Sequence, residues 1–287
     1  MKEKTDKKMK HPLACIHPDA NIASTVEIEP FAIIDKNVVI GEGTRIGSNV
    51  RIMEGTRIGK NCRIFPGAVI GAIPQDLKFR GEETLAVIGD NTTIREFVTV
   101  NRGTIARGKT VIGNNCLIMA YCHIAHDCML GNHIIMANTT QLAGEVVIDD
   151  HAILSGGILV HQFTRIGSHV MIQGGSKINK DVPPFVKAGR DPVSYTGINS
   201  VGLRRRNYTK EQIENIRNIY RYLYSMGMNT SQALERIETE FPVTKERDDI
   251  LLFVRGSSRG IIKGQPVIGN FEPSKNGKVK PAVLIQK

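Results

Sequence analysis

From Ile16 to Ile178 every sixth position anchors a hydrophobic pattern, and 25 of the 28 such positions hold Ile, Leu, Val or Met. The exceptions are Asp76, Glu82 and Ala106. A helix buries residues about 3.6 apart and a half-exposed strand buries alternate ones, so a sustained period of six fits neither. It fits short strands joined by tight corners and wound into a β-solenoid, each hexad supplying one strand and one turn. Gly, Asn and Asp recur two or three places after the anchors, as in Ile40-Gly-Glu-Gly43 and Ile58-Gly-Lys-Asn61. They accept turn conformations that bulkier residues resist. With three hexads to a triangular coil, residues eighteen apart stack one above another at about 4.8 Å.

The pattern lapses over residues 71–87 and 101–111 and resumes in phase both times. Such lapses predict loops thrown out from a corner of a rigid scaffold, where binding tends to reside. Beyond Ile178 the period dissolves at Asp181-Val-Pro-Pro184, and the prolines predict an end to strand addition. Helical signals follow. Thr209 and Gln212 form a capping box ahead of the stripe Ile213, Ile216, Ile219, Tyr220 and Leu223, and two more helices are predicted over 230–241 and 245–255. The expected organisation is a disordered leader (1–10), a β-helix (11–190), a linker with an α-helical C-terminal domain (191–255) and a flexible basic tail (256–287).

A net charge of +10 invites a nucleic-acid reading until it is located. Residues 1–10 hold 5 basic and 2 acidic side chains and residues 255–287 hold 7 and 1, which leaves 26 against 25 between them. The body is nearly neutral and carries no basic, aromatic-interleaved face, so nucleic acid is not an expected partner. Cys62, Cys116, Cys122 and Cys128 each fall four places after an anchor, a slot that elsewhere holds Ala, Thr or Val. They read as small core residues, since no CxxC pairing is present. With no signal peptide and no apolar run long enough to span a bilayer, a reducing cytoplasmic location is expected.

Candidate chemistry gathers where the histidines do: His123, His126, His133, His151, His161 and His169. Scattered surface residues, a metal site and a single general base are three competing readings. Counting by slots puts His126 and His133 on different faces, which disfavours chelation by His123, His126 and His133 within one chain; two chains could still combine ligands. Counting by eighteen puts Gly144 above His126 and Gln162 above Gly144. A glycine there leaves a backbone N–H open beside a base, and Asp127 is placed to hold the imidazole tautomer. The run Arg204-Arg205-Arg206, in a stretch read as irregular, is either surface charge or a phosphate site.

Several strings narrow this further: His123-Ile-Ala-His126-Asp127-Cys, Pro74-Gln75-Asp76-Leu77-Lys78-Phe79, Val160-His161-Gln162-Phe163, Asp181-Val-Pro-Pro and Gly202-Leu203-Arg204-Arg205-Arg206. Together with the hexads, and in this order from about Pro12 to Lys263, they resemble the UDP-N-acetylglucosamine O-acyltransferases among the bacterial hexapeptide acyltransferases. The resemblance implies a left-handed parallel β-helix, against the usual right-handed crossover, and a homotrimer with sites between subunits. It implies transfer of a 3-hydroxyacyl chain from acyl carrier protein to the 3-OH of UDP-N-acetylglucosamine, the first step of lipid A synthesis, with no metal or tightly bound cofactor. His126 is implied as base, Asp127 as its orienting partner and the Gly144 N–H as oxyanion donor. Gln75, Asp76, Lys78, His123, His161 and Gln162 are implied sugar-nucleotide contacts, and Asn199 and Arg205 contacts to the uridine and phosphate end. Glu145 departs from a common histidine and Val201 from a common acid. Gly174 leaves a groove open for a chain of roughly fourteen or more carbons. A zinc-dependent carbonic-anhydrase-like lyase is the alternative of another class. The related N-acyltransferase is the nearer alternative, but its extra uridine-binding domain finds no room before Ile16. A pure scaffold would leave His126, Asp127 and Gly144 unexplained.

Overall fold

The computed structural model describes residues 9–264; of the expected disordered leader (1–10) residues 1–8 lie outside them, as do residues 265–287 of the expected tail, whereas Met9 and Lys10 already join the ladder, the Ile28 N–H donating to the Met9 carbonyl at 2.7 Å and Lys10 bridging to Ile28. The hexads form three parallel sheets, one per side of a triangular prism. The first has nine strands, from Cys15–Ile16 to Lys177–Ile178. The second has eight, from Asn21–Ile22 to Arg165–Ile166, and the third ten, from Glu27–Ile28 to Ser194–Ile198. Most strands are two residues long, one outward and one an inward anchor. Anchors such as Ile34, Ile64, Ile94, Ile118 and Ile148 are 0–2% exposed, and Cys62, Cys116, Cys122 and Cys128 fill the core beside them.

Corners explain the Gly and Asn pattern. The third residue after an anchor sits in the left-handed region, as at Asn37 (φ 51°), Asn61 (φ 53°) and Asn115 (φ 56°). That region costs most L-residues about 1–2 kcal/mol, and Gly and Asn least. Asp127 and Glu145, both at φ 60°, and His133, His151 and His169 adopt it too. The three histidine rings stack at centroid distances of 4.7 and 4.8 Å, and Phe185 continues the stack 5.5 Å beyond His169.

The two lapses leave the ladder intact. Arg57 pairs with Val87, thirty residues on, and Thr99 with His123, twenty-four on, after which the step of eighteen holds, as in His123 with Gln141. Both loops leave from the same edge, between a first-sheet strand (Val69–Ala72, Thr99–Asn101) and a second-sheet strand (Leu85–Ile88, Lys109–Ile112).

Three further expectations need correction. Strand addition does not stop at the prolines: Pro183 and Pro184 fall in a corner, where no ladder N–H is required, and Val186–Gly189 pairs with Met171–Ile172 before Ser194–Ile198 returns antiparallel. Nor are residues 256–264 a free tail. Ile262 is 1% exposed and its N–H donates to the Asp181 carbonyl at 2.9 Å, while the buried Asp181 carboxylate accepts from the Arg165 N–H at 2.8 Å and Ser257 Oγ at 2.7 Å. Between them lie α1 (Ser200–Arg205), α2 (Lys210–Ser225), α3 (Thr230–Glu240) and α4 (Lys245–Arg255). The α2 capping box is reciprocal, and a second, from Asn229 and Gln232, opens α3. Arg204 and Arg205 thus end a short helix, where an irregular stretch was expected.

Burial, with His151 and Arg206 close by, pushes the His169 imidazole down to about 4. Unfolded chain, with an ordinary histidine near 6.5, takes up this proton first as pH falls. Stability is therefore expected to decline from about pH 6.5 towards about pH 4. His169→Phe, which prolongs the ring stack, should flatten that decline. Thermal midpoints measured across this range check it, and an unchanged acid dependence in the variant would refute the assignment.

Candidate active site

The edge that carries both loops also carries the histidine of interest. After the strand His123–Ile124 the chain turns through Ala125 and His126 into Asp127. Asp127 is fully buried, and its Oδ2 lies 2.8 Å from Nδ1 of His126. The second loop fills the rest of the carboxylate: the Thr104 N–H donates to Oδ1 at 3.0 Å, the Thr104 hydroxyl to Oδ2 at 2.6 Å and the Arg107 N–H to Oδ1 at 3.2 Å. The Asp127 N–H is itself held by the Thr110 hydroxyl at 2.8 Å. A carboxylate with four donors is held in one orientation. Its partner nitrogen is then assigned as the donor, leaving the lone pair on Nε2.

Gly144 lies directly above. A Cβ added there would sit 2.6 Å from His126 Cε1 and 2.7 Å from Nε2, so only glycine lets the ring lie against the backbone. The Gly144 N–H has no acceptor among the described residues. A bare imidazole nitrogen beside a free amide can remove a proton and stabilise an oxyanion in neighbouring positions.

A groove of about 460 Å³ opens here. Its polar lining is Gln75, His123, His126, Gln141, Gly144 and Gln162, and its apolar wall includes Leu142, Leu159 and Val160. His123 Nδ1 lies 2.7 Å from the Thr99 hydroxyl, and burial, then the neighbouring His126, lowers its pKa, so it is neutral at pH 7. A hollow of about 690 Å³ between the His151–His169 edge and α4 is larger but lacks this base, carboxylate and amide.

The structure separates other expected residues from this groove. The Asp76 carboxylate accepts the Lys78 N–H at 2.9 Å in a local turn, and Lys78 and His161 are exposed; none of the three lines the groove. Asn199 is 3% exposed, caps α1 through the Gly202 N–H and donates to the His169 carbonyl at 2.9 Å, which puts it on the next edge. Arg205 is exposed at the end of α1. Gly174 lies on the third edge, its absent Cβ 3.0 Å from the Gly156 carbonyl. A triangular prism holds its edges apart, so one chain does not unite Asn199, Arg205 or Gly174 with His126. His133 belongs to the ring stack one edge away from His126. Glu145, in place of a histidine, pairs with Arg107 at 3.8 Å, and Val201 is exposed on α1. Sequence reasoning missed Thr99, Thr104, Arg107 and Thr110; the one available signal was the second lapse, which falls one coil below Asp127.

A base held by a buried carboxylate, beside a free amide at the mouth of a groove on a hexapeptide solenoid, defines the class of hexapeptide acyltransferases. Comparisons with known proteins narrow it. Residues 109–144 match the bacterial transferase hexapeptide model (six repeats), residues 181–262 match the second domain of UDP-N-acetylglucosamine O-acyltransferase, and residues 11–111 match a GMPPB C-terminal domain. The acyl-[acyl-carrier-protein]--UDP-N-acetylglucosamine O-acyltransferase of Myxococcus xanthus is 43% identical, covering 88% of this chain and 98% of its own length. That of Xylella fastidiosa is 46% identical, covering 88% and 97%. The crystal structure of the Bacteroides fragilis UDP-N-acetylglucosamine acyltransferase superposes with a TM-score of 0.87 at 55% identity, over 89% of this chain and 100% of that one. The chain belongs to the UDP-N-acetylglucosamine O-acyltransferase family, and its solenoid is a left-handed parallel β-helix. Membership decides against the lyase and N-acyltransferase readings. Among the described residues no helix is long and apolar enough to cross a membrane.

Gly144→Ala is expected to fold normally and to lose about a hundredfold in kcat, because its methyl group displaces the His126 ring. Steady-state rates with circular dichroism as a folding control check this; a variant with native rate would show that the contact is not needed.

Proposed function

We propose that this protein transfers a 3-hydroxyacyl chain from acyl carrier protein to the 3-hydroxyl of UDP-N-acetylglucosamine, opening lipid A synthesis in the cytoplasm, with His126 as general base. The observation that carries the mechanism is the alignment of His126 between the buried Asp127 carboxylate and the Gly144 backbone. His126 Nε2 removes the hydroxyl proton as the sugar oxygen attacks the thioester carbon. The Gly144 N–H donates to the oxyanion of the tetrahedral intermediate. Collapse breaks the carbon–sulfur bond, and the imidazolium returns its proton to the leaving thiolate. Asp127 keeps Nδ1 protonated throughout and favours the charge that His126 gains.

Gln75, His123 and Gln162 in the groove hold the sugar, with Asp76, Lys78 and His161 approaching from its rim. Asn199 and Arg205 belong to the nucleotide end of a neighbouring subunit's site in a homotrimer, and Gly174 to an acyl groove between subunits. Their location on other edges supports such sharing, because a second chain can lay one edge against another where a single prism cannot.

Purified protein given UDP-N-acetylglucosamine and a panel of 3-hydroxyacyl carrier proteins is expected to form acylated sugar nucleotide, and no product from any donor would sink the proposal. Subunit sharing has its own test. Co-assembling His126→Ala with Arg205→Ala subunits should restore about a quarter of wild-type activity, since that fraction of sites then combines two intact halves. Activity no higher than the mean of the two parents would refute sharing.

A further inference from the structure

We propose that Arg107 and Glu145 are a pair of positioning residues that hold the catalytic carboxylate by clamping the second loop across two coils; this rests on the reading of His126 as the base. Glu145 stands eighteen residues after Asp127, in the same left-handed corner conformation at φ 60°, and so directly above it. Its N–H donates to the His126 carbonyl at 3.0 Å, which locks the Glu145 backbone to the turn that presents the base. Arg107 spans the two levels. Its backbone N–H reaches Asp127 Oδ1 at 3.2 Å, while its guanidinium Nε lies 3.8 Å from Glu145 Oε2.

The arrangement has a mechanical reason. Thr104 and Arg107 supply three of the four donors on the Asp127 carboxylate, and both belong to a loop outside the hexad ladder. Thr104 is 7% exposed and anchors the near end of the loop. At the far end the bond from Arg107 is the longest of the three, and Gly108, at φ 68° with nothing within 4 Å of its absent Cβ, follows at once. Within the turn the Gly108 N–H donates to the Thr104 carbonyl at 2.7 Å and the Ala106 N–H to the Thr104 hydroxyl at 3.2 Å, and the Gly108 carbonyl accepts the Leu85 N–H at 3.0 Å. Those bonds tie the far end to itself and to the coil below, and the ion pair adds an attachment to the coil that also carries Gly144. Loop, carboxylate, base and amide donor are thereby referred to one another.

Such a pair, a quarter to a third exposed on its two side chains, adds little to global stability. Its effect should instead appear in turnover, through the orientation of Asp127 and hence the His126 tautomer. Arg107→Gln and Glu145→Gln are each expected to lower kcat by about three- to tenfold, with KM for both substrates changed less than about twofold. Exchanging the charges, Arg107→Glu with Glu145→Arg, should recover most of that loss. On an Asp127→Asn background the same substitutions should cost nothing further, because the group they orient is already disabled. Single variants with wild-type kcat, or losses of equal size on the Asp127→Asn background, would overturn the proposal. A wild-type enzyme that makes no product would sink the functional reading itself, whereas an active wild type with indifferent variants sinks this inference alone.

Discussion

The vertical hydrogen-bond ladder is the constraint on which everything else depends. Each strand is so short that it has no stability of its own; its amides are satisfied only by the carbonyls of the next coil, as in Ala125 N–H to the Leu142 carbonyl at 3.2 Å and Ala143 N–H to the Val160 carbonyl at 3.0 Å. A side chain's neighbours are thus set by its slot and by the coil above. The same ladder that stacks Ile124 on Leu142 brings the His126 ring against Gly144, and stacks His133, His151 and His169 ring on ring. Site geometry and core packing are consequences of one repeat.

That repeat also decides which residues must be small or tolerant of left-handed backbone. Gly and Asn occupy half of the left-handed corners, where they bear the conformation cheaply. Asp127 and Glu145 bear it without that advantage, and both act at the edge where the loops emerge. Such corners recur on every edge, as at Phe31, His133 and Phe163, and what sets Asp127 apart is how far the surrounding structure over-determines it. Here the over-determination is visible: ladder below, ladder above, and a loop whose donors close on the Asp127 carboxylate from the side.

What could be read in advance follows from the same distinction between periodic and aperiodic chain. The solenoid, the buried cysteines, the common edge of the two loops and Gly144 over His126 were all legible by counting, because period carries position. Thr104 and Arg107 were not, since a loop has no period to count along. The Asn199 cap on α1 was hidden because the family resemblance implied a uridine or phosphate contact there and its burial depends on the His169 edge. Residues 256–264 looked like a basic tail because composition cannot reveal that Asp181, a sequence-distant buried carboxylate, would receive Ser257. The prolines misled for a related reason: whether Pro ends a ladder depends on its corner or strand slot, which was obscured where the hexads ended.

The most direct test of the central claim is the single-turnover rate of His126→Ala, with UDP-N-acetylglucosamine binding measured in parallel. Removal of a general base should lower the chemical step by about a hundredfold or more while nucleotide affinity stays within a few-fold of wild type. A variant that binds and still turns over at near the wild-type rate would contradict the assignment of His126 as the base.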